Sequence, residues 1–190
     1  MKDQIRILGI DDGPFKFKQK SVIVIGVIIR APNYIEGVCQ TKVTVDGNDA
    51  NKILEKLVNN SNYKDQLRMI MLDGVALGGF NVVDIEKLYQ ATGIPAVTIT
   101  RSEPNMNLIK NTLKSHFPDW KERWKAIDNL ELVKLHTNYN PIFIKFIGLS
   151  KSEIVRLIRI TTVRGVLPEP IRIAHLIATA MIRGESTGRA

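Results

Sequence analysis

Cysteine is nearly absent: Cys39 is the single one in 190 residues. One thiol cannot close an internal disulfide and cannot build a cysteine-based zinc site. Long apolar runs are missing too, and none approaches the roughly 20 residues that a membrane span needs. The opening stretch, MKDQIRILGIDDG, lacks the long apolar core of a secretory signal and carries acids where such a signal has none. The expectation is therefore a cytoplasmic protein. The glycine-rich segment Gly74-Val75-Ala76-Leu77-Gly78-Gly79 has neither the lysine–serine ending of a phosphate-binding loop nor a dinucleotide spacing. Its glycines read as turn formers near a site. There are three histidines, in no His/Cys metal spacing, and no serine–histidine pair is suggested.

What is present is ordinary globular composition, 44% hydrophobic and 24% charged, at a length that suits a single domain over residues 1–190. Charge is uneven. Residues 1–100 hold 12 Lys/Arg against 11 Asp/Glu, and residues 101–190 hold 15 against 8. A basic second half beside a neutral first half fits a phosphate-rich partner; the plainer alternative is good solubility.

Three β-rich segments open the chain: Ile5–Ile10, Ser21–Ile29 and Gly37–Val45. They predict a meander of adjacent strands. A helix is expected over Asp49–Val58, a strand over Gln66–Leu72, a helix over Val82–Ala91 and a strand over Pro95–Thr100. Strands alternating with helices argue a parallel portion with right-handed crossovers. Beyond that, Asn105–Lys125 reads as helical on both sides of Pro118. Leu130–Leu135 and Ile142–Ile147 read as strands, and Ser150 with Glu153 forms a capping box for a helix over 151–161. A last helix starts at Pro168-Glu169-Pro170. The fold class is α/β, a mixed sheet of about five or more strands with helices on both faces.

Carboxylates follow three of the strands: Asp11 (or its neighbour Asp12), Asp46 and Asp73. Ligands of open α/β sheets gather outside the carboxyl ends of strands. If the first and fourth strands are parallel neighbours, Asp11 and Asp73 share one crevice. The third strand is not expected to bring Asp46 to that end by itself; a bend or long loop after Val45 would have to do so. Clustered carboxylates repel, and a hard divalent cation such as Mg²⁺ or Mn²⁺ resolves the repulsion. Each acid also stands in or beside an Asp-Gly pair, which is a routine turn former. His175 lies on the stripe Ile171, His175, Ala178, Ile182 of the last helix. It reads either as a satisfied core histidine or as a group reaching the acids.

The residues resemble endonuclease V over most of the chain. "GID" at 9–11 is similar to that family's first-strand motif. "NYIEG" at 33–37 is similar to its Pro-Tyr-Ile-Pro-Gly wedge, and "LDGVALGGFNVVDIEKLYQATGIPAVTITR" at 72–101 to the block carrying the third acid. "LPEPIRIAHLIA" at 167–178 is similar to its C-terminal Leu-Pro-Glu-Pro-Thr-Arg-Leu-Ala-His helix. The whole looks closest to an archaeal relative of that family, endonuclease dU.

The resemblance implies a ribonuclease H-like fold and Mg²⁺-dependent cutting of nucleic acid, DNA with RNA as the alternative, near deaminated bases, inosine or uracil, as in DNA repair. It implies that Asp11, Asp46 and Asp73 hold metal, that Arg101 stands near the scissile phosphate and that His175 assists. It also implies that Tyr34 wedges into the gap left by a displaced base, with Arg101 and Arg172 touching nucleic acid. Four departures are visible. Asp46 replaces a glutamate, Arg101 replaces a lysine, Asn33 and Glu36 replace the wedge prolines, and the third block lacks a histidine after Asp-Gly. A non-catalytic nucleic-acid-binding protein on the same fold, or a phosphohydrolase of small nucleotides, are the rival readings.

Overall fold

A computed structural model describes residues 5–16 and 18–187. The opening meander is present as β1 (Arg6–Asp12), β2 (Ser21–Arg30) and β3 (Tyr34–Thr44). It is followed by α1 (Ala50–Asn59), β4 (Leu67–Asp73), the two-residue strands β5 (Ala76–Leu77) and β6 (Asn81–Val82), α2 (Ile85–Thr92) and β7 (Ala96–Thr100). The second half adds α3 (Met106–His116), α4 (Trp120–Asp128), β8 (Val133–Leu135), β9 (Ile142–Ile147), α5 (Lys151–Thr161) and α6 (Glu169–Arg183).

Seven strands form one sheet in the order β3-β2-β1-β4-β7-β9-β8, and β5 pairs separately with β6. β1, β4 and β7 are parallel neighbours; β2, β3, β8 and β9 join antiparallel. The alternation of side chains sorts the core into two layers. Leu8, Ile10, Ile70 and Leu72 face Leu54 of α1 and Leu88 of α2. Ile7, Met69, Met71 and Ile99 face Ile154 and Leu157 of α5 and Ile171 of α6. Ala174 and Ala178 of α6 pack on Ile25, Val27 and Ile29 of β2. Each fully buried Ile or Leu contributes about 1.5–3 kcal/mol relative to its exposed form, so both layers hold the sheet.

Local chemistry sets the helix ends. Asp84 accepts from the backbone N–H groups of Glu86 and Lys87 at the start of α2, and Gly93 ends it in the left-handed region. Ser150 and Glu153 form the reciprocal capping box of α5, as the sequence predicts.

The close fit of α6 on β1 depends on glycine. A Cβ added at Gly9 would lie 2.2 Å from the carbonyl carbon of Pro170, and one at Gly13 would lie 3.1 Å from the carbonyl oxygen of Ala178. Those two glycines let the helix backbone approach the strand, which fixes where His175 points.

One expectation changes here. A meander reverses direction twice, so β3 ends at the same end of the sheet as β1, and no bend is needed to bring Asp46 there. Tyr34, the residue that the resemblance makes a wedge, is a strand residue. It opens β3, opposite Arg30.

Candidate active site

Parallel pairing of Ile10 with Leu72 leaves Asp11 and Asp73 side by side as the next residues of β1 and β4. Strand alternation points both toward the α5–α6 layer. There His175, four residues beyond the buried Ile171 and one past Ala174, faces them from α6. Its Nδ1–H donates to Asp11 Oδ2 at 2.8 Å. Asp11, Asp73 and His175 each offer one donor atom, and these atoms lie within 4.8 Å of one another.

The electrostatics follow from burial. Asp73 is raised to about 6, first by desolvation and then by the Asp11 carboxylate, with Arg101 and His175 opposing. Asp12 is also raised to about 6 by desolvation and by Asp11, although Gly78 N–H donates to its Oδ2 at 2.9 Å and opposes the rise. His175 is raised above its ordinary value by the hydrogen bond to Asp11, against desolvation. Asp11 and the half-buried Asp73, with the His175 ring held toward them, are a donor set that a divalent cation fits; Asp12 turns to the other face and holds the loop.

The structure thus brings together Asp11, Asp73 and His175, with Arg101 close enough to act on both Asp73 and His175 electrostatically. It does not bring in Asp46. That residue is exposed in the left-handed region at φ 55°, a conformation aspartate tolerates. Its Oδ1 accepts from Phe80 N–H at 2.8 Å, and its own N–H donates to Gly78 O at 2.8 Å. β3 also lies two strands from β1, roughly 10 Å across the sheet. Asp46 therefore holds the glycine-rich loop from one side while Asp12 holds it from the other. The acid that joins Asp11 and Asp73 electrostatically is Asp12.

Tyr34 stands at the opposite end of the sheet, in register with Arg30 and Arg6 at the start of β1. It is 60% exposed, with the Arg30 guanidinium 4.8 Å from its ring centre. Glu36, which stands where the resemblance has a wedge proline, is paired with both Arg6 and Arg30. Arg172 is half-buried and forms a two-pronged ion pair with the buried Glu169, at 2.8 and 2.7 Å. Neither Tyr34 nor Arg172 is part of the acidic group.

Sequence reasoning missed the scaffold around the loop. Arg123, buried in α4, donates from Nη1 to Gly47 O at 2.8 Å and Phe80 O at 2.6 Å, and pairs with Asp119 at 2.9 Å. Asn81, fully buried, accepts from Ala50 N–H and donates to Thr44 O and to Asp49. Nothing in periodicity marks either residue, because most of their partners are distant in the chain. The adjacent acids at 11 and 12 were the one readable signal, since successive strand residues face opposite sides.

The molecule is similar in sequence and in structure to other proteins. It is 42% identical over 191 residues to a UPF0215 protein of Methanothermobacter thermautotrophicus, covering 100% of this chain and 94% of that one. A crystal structure of a protein of unknown function from Archaeoglobus fulgidus superposes with a TM-score of 0.85 at 35% identity, over 95% of this chain and 100% of that chain. Endonuclease V of Ciona intestinalis, solved with DNA containing an inosine, superposes with a TM-score of 0.60 at 12% identity, over 92% of this chain and 84% of that chain. At that identity the likeness is one of fold, and it bears out the ribonuclease H-like expectation. The family model described as Endonuclease dU matches residues 3–182, and the chain belongs to that family.

Proposed function

We propose that the protein is a metal-dependent endonuclease that hydrolyses phosphodiester bonds in DNA near deaminated bases, uracil or inosine. The observation that carries this reading is the meeting of Asp11, Asp73 and His175 within 4.8 Å at the carboxyl ends of two adjacent parallel strands. Family membership and the fold shared with a DNA-binding endonuclease V support it.

Asp11 and Asp73, with His175 beside them, would hold Mg²⁺ or Mn²⁺; Asp46 is left out of the donor set. When bound, the cation supplies charge that polarises a phosphate oxygen and stabilises the leaving oxygen. The chain's own groups do the rest. Asp11 fixes the orientation of His175 through Nδ1, which leaves the other ring nitrogen to hold or pass a proton near the phosphate. Arg101, exposed at the end of β7, offers a planar cation to a phosphate oxygen. The Asp12–Gly78 hydrogen bond keeps the glycine-rich loop beside the acids.

Oligonucleotides that each carry one uracil, inosine or unmodified base at a fixed position test this with Mg²⁺ and Mn²⁺. Nicking close to the modified base is expected, and Asp73→Asn should lower it about a hundredfold or more. Binding without nicking under both metals would favour a non-catalytic nucleic-acid-binding protein. Turnover of free nucleotides alone would point to a phosphohydrolase.

A further inference from the structure

The β8–β9 hairpin closes a cleft of about 770 Å³ against the second half of α5. Its floor is apolar, formed by Leu135, Ile142 and Ile158. Its rim carries His136 and Arg159, both exposed, while Lys134 turns its Nζ to the other face of β8, 5.8 Å from the Phe143 ring centre. Tyr139, at the tip of the hairpin, is 70% exposed, and the tip is ordered by Thr137, which donates to Asn140 O and accepts from Tyr139 N–H. Among the described residues no acid lines the cleft. Glu153 of α5 is occupied at the other end of that helix by its capping box with Ser150.

The position of the cleft follows from strand register. Asp73 is opposite Ile99, Ile99 is opposite Ile144, and Ile144 is opposite Val133. Three strand spacings of about 4.8 Å put the start of β8 roughly 14 Å from Asp73 across the sheet. β8 runs in the direction of β4, so Leu135 and His136 lie at the same end as the acids. The face is also shared: Ile142 and Ile158 belong to the core layer of Met69 and Met71, which Asp73 continues by alternation. Arg101, directly after β7, stands between the two.

An apolar floor, an exposed aromatic ring and a rim that carries Arg159 and no acid match the base and the phosphate of one nucleotide. We propose that this cleft receives a single unstacked nucleotide of the strand being cut, about four steps from the scissile phosphate at the ~3.4 Å rise of a stacked strand. The base rests on Leu135 against Tyr139, above the buried Ile142, and Arg159 holds the phosphate. The proposal rests on the nuclease reading above and adds a binding subsite to it.

Fluorescence anisotropy with a 30-residue oligonucleotide tests it, in an Asp73→Asn background that prevents cutting. Arg159→Glu should weaken binding about fivefold or more and lower the slope of log affinity against log salt by about 1. Tyr139→Ala should weaken it about fivefold or more with the slope unchanged. A 2-aminopurine placed near the fourth position from the cut should brighten on binding to the Tyr139 protein and stay dim with Tyr139→Ala. All these residues are exposed, and Arg159→Gln with a thermal melt separates lost binding from lost folding. Tight binding with unchanged affinity and slope in every variant overturns the subsite and leaves the nuclease reading standing. Failure of the parent protein to bind any oligonucleotide overturns both. Equal affinity for a free mononucleotide would assign the cleft to a small ligand and overturn the subsite.

Discussion

Asp12 and Asp73, both raised from 3.8 to about 6, make the site sensitive to pH. An acid with a raised folded-state pKa favours the fold while protonated. That contribution is complete below about pH 4 and is lost as pH rises through about 6. His175, raised by Asp11, acts in the same direction, because its protonated form is the one the fold prefers. The metal-free protein should therefore melt at a lower temperature at pH 7.5 than at pH 5. A cation replaces those protons, so Mn²⁺ should raise the melting temperature more at pH 7.5 than at pH 5. Differential scanning calorimetry reads both effects, and a metal response that weakens with rising pH would contradict the grouping. Asp46 supplies the contrasting residue. Its carboxylate serves the Phe80 N–H, so Asp46→Asn should leave Mn²⁺ affinity within about threefold, while Asp73→Asn should lower it about tenfold or more. Isothermal titration separates them.

At the level of elements, α6 and β1 behave as one unit. The chain reaches His175 through Pro170, and Pro170 lies against Gly9. Gly9→Ala should push the helix off the strand, costing about 1–3 kcal/mol as overpacking does. It should also reduce nicking by more than the stability loss accounts for, since the Asp11–His175 hydrogen bond depends on that approach. Urea unfolding and activity measured on the same sample check the two parts. The α3–α4 pair is attached differently. Leu113, Arg123 and Ile127 are its buried residues, and Lys110 over Trp124 and Lys114 over Trp120, at 4.7 and 5.1 Å, join its two helices by cation–π contacts. Arg123 ties it to the carbonyls of Gly47 and Phe80. Arg123→Ala strands two carbonyl groups and the Phe117 ring, whose centre lies 4.3 Å from the guanidinium, so a loss of roughly 2–4 kcal/mol is expected. Hydrogen exchange should show faster opening at residues 46–49 and 78–82 before the central strands change.

For the molecule as a whole, charge and topology act together. The excess of Lys/Arg over residues 101–190 enters the structure after β7, so it is carried by the α3–α4 pair, the β8–β9 hairpin and the two last helices. Of these, α5 and α6 cover the sheet face toward which Asp11 and Asp73 point. Nucleic-acid binding should accordingly fall about tenfold or more between 50 and 200 mM salt, as several phosphate contacts require. A flat response in anisotropy would count against a polymeric substrate. No helix among the described residues is long and apolar enough to cross a membrane.

The apolar periodicities were enough to name nearly every main-sheet strand and every helix, because each is a local pattern that buries one face. The bounds of β2 and α5 were read almost to the residue. The two-residue strands β5 and β6 escaped, being too short to show a period. Asp11 and Asp73 were legible as acids ending apolar runs, and His175 as the polar member of an apolar stripe. Which acids meet was not legible, since it depends on strand order and on the partners each carboxylate finds: Asp46 reaches the right end of the sheet and is then taken by the Phe80 amide. The same holds for Tyr34, which local resemblance makes a wedge and strand register carries to the far end. Patterns along the chain determined the elements and the kinds of chemistry available. Pairing across the chain, through backbone hydrogen bonds and close glycine contacts that no local pattern encodes, decided which side chains share a site.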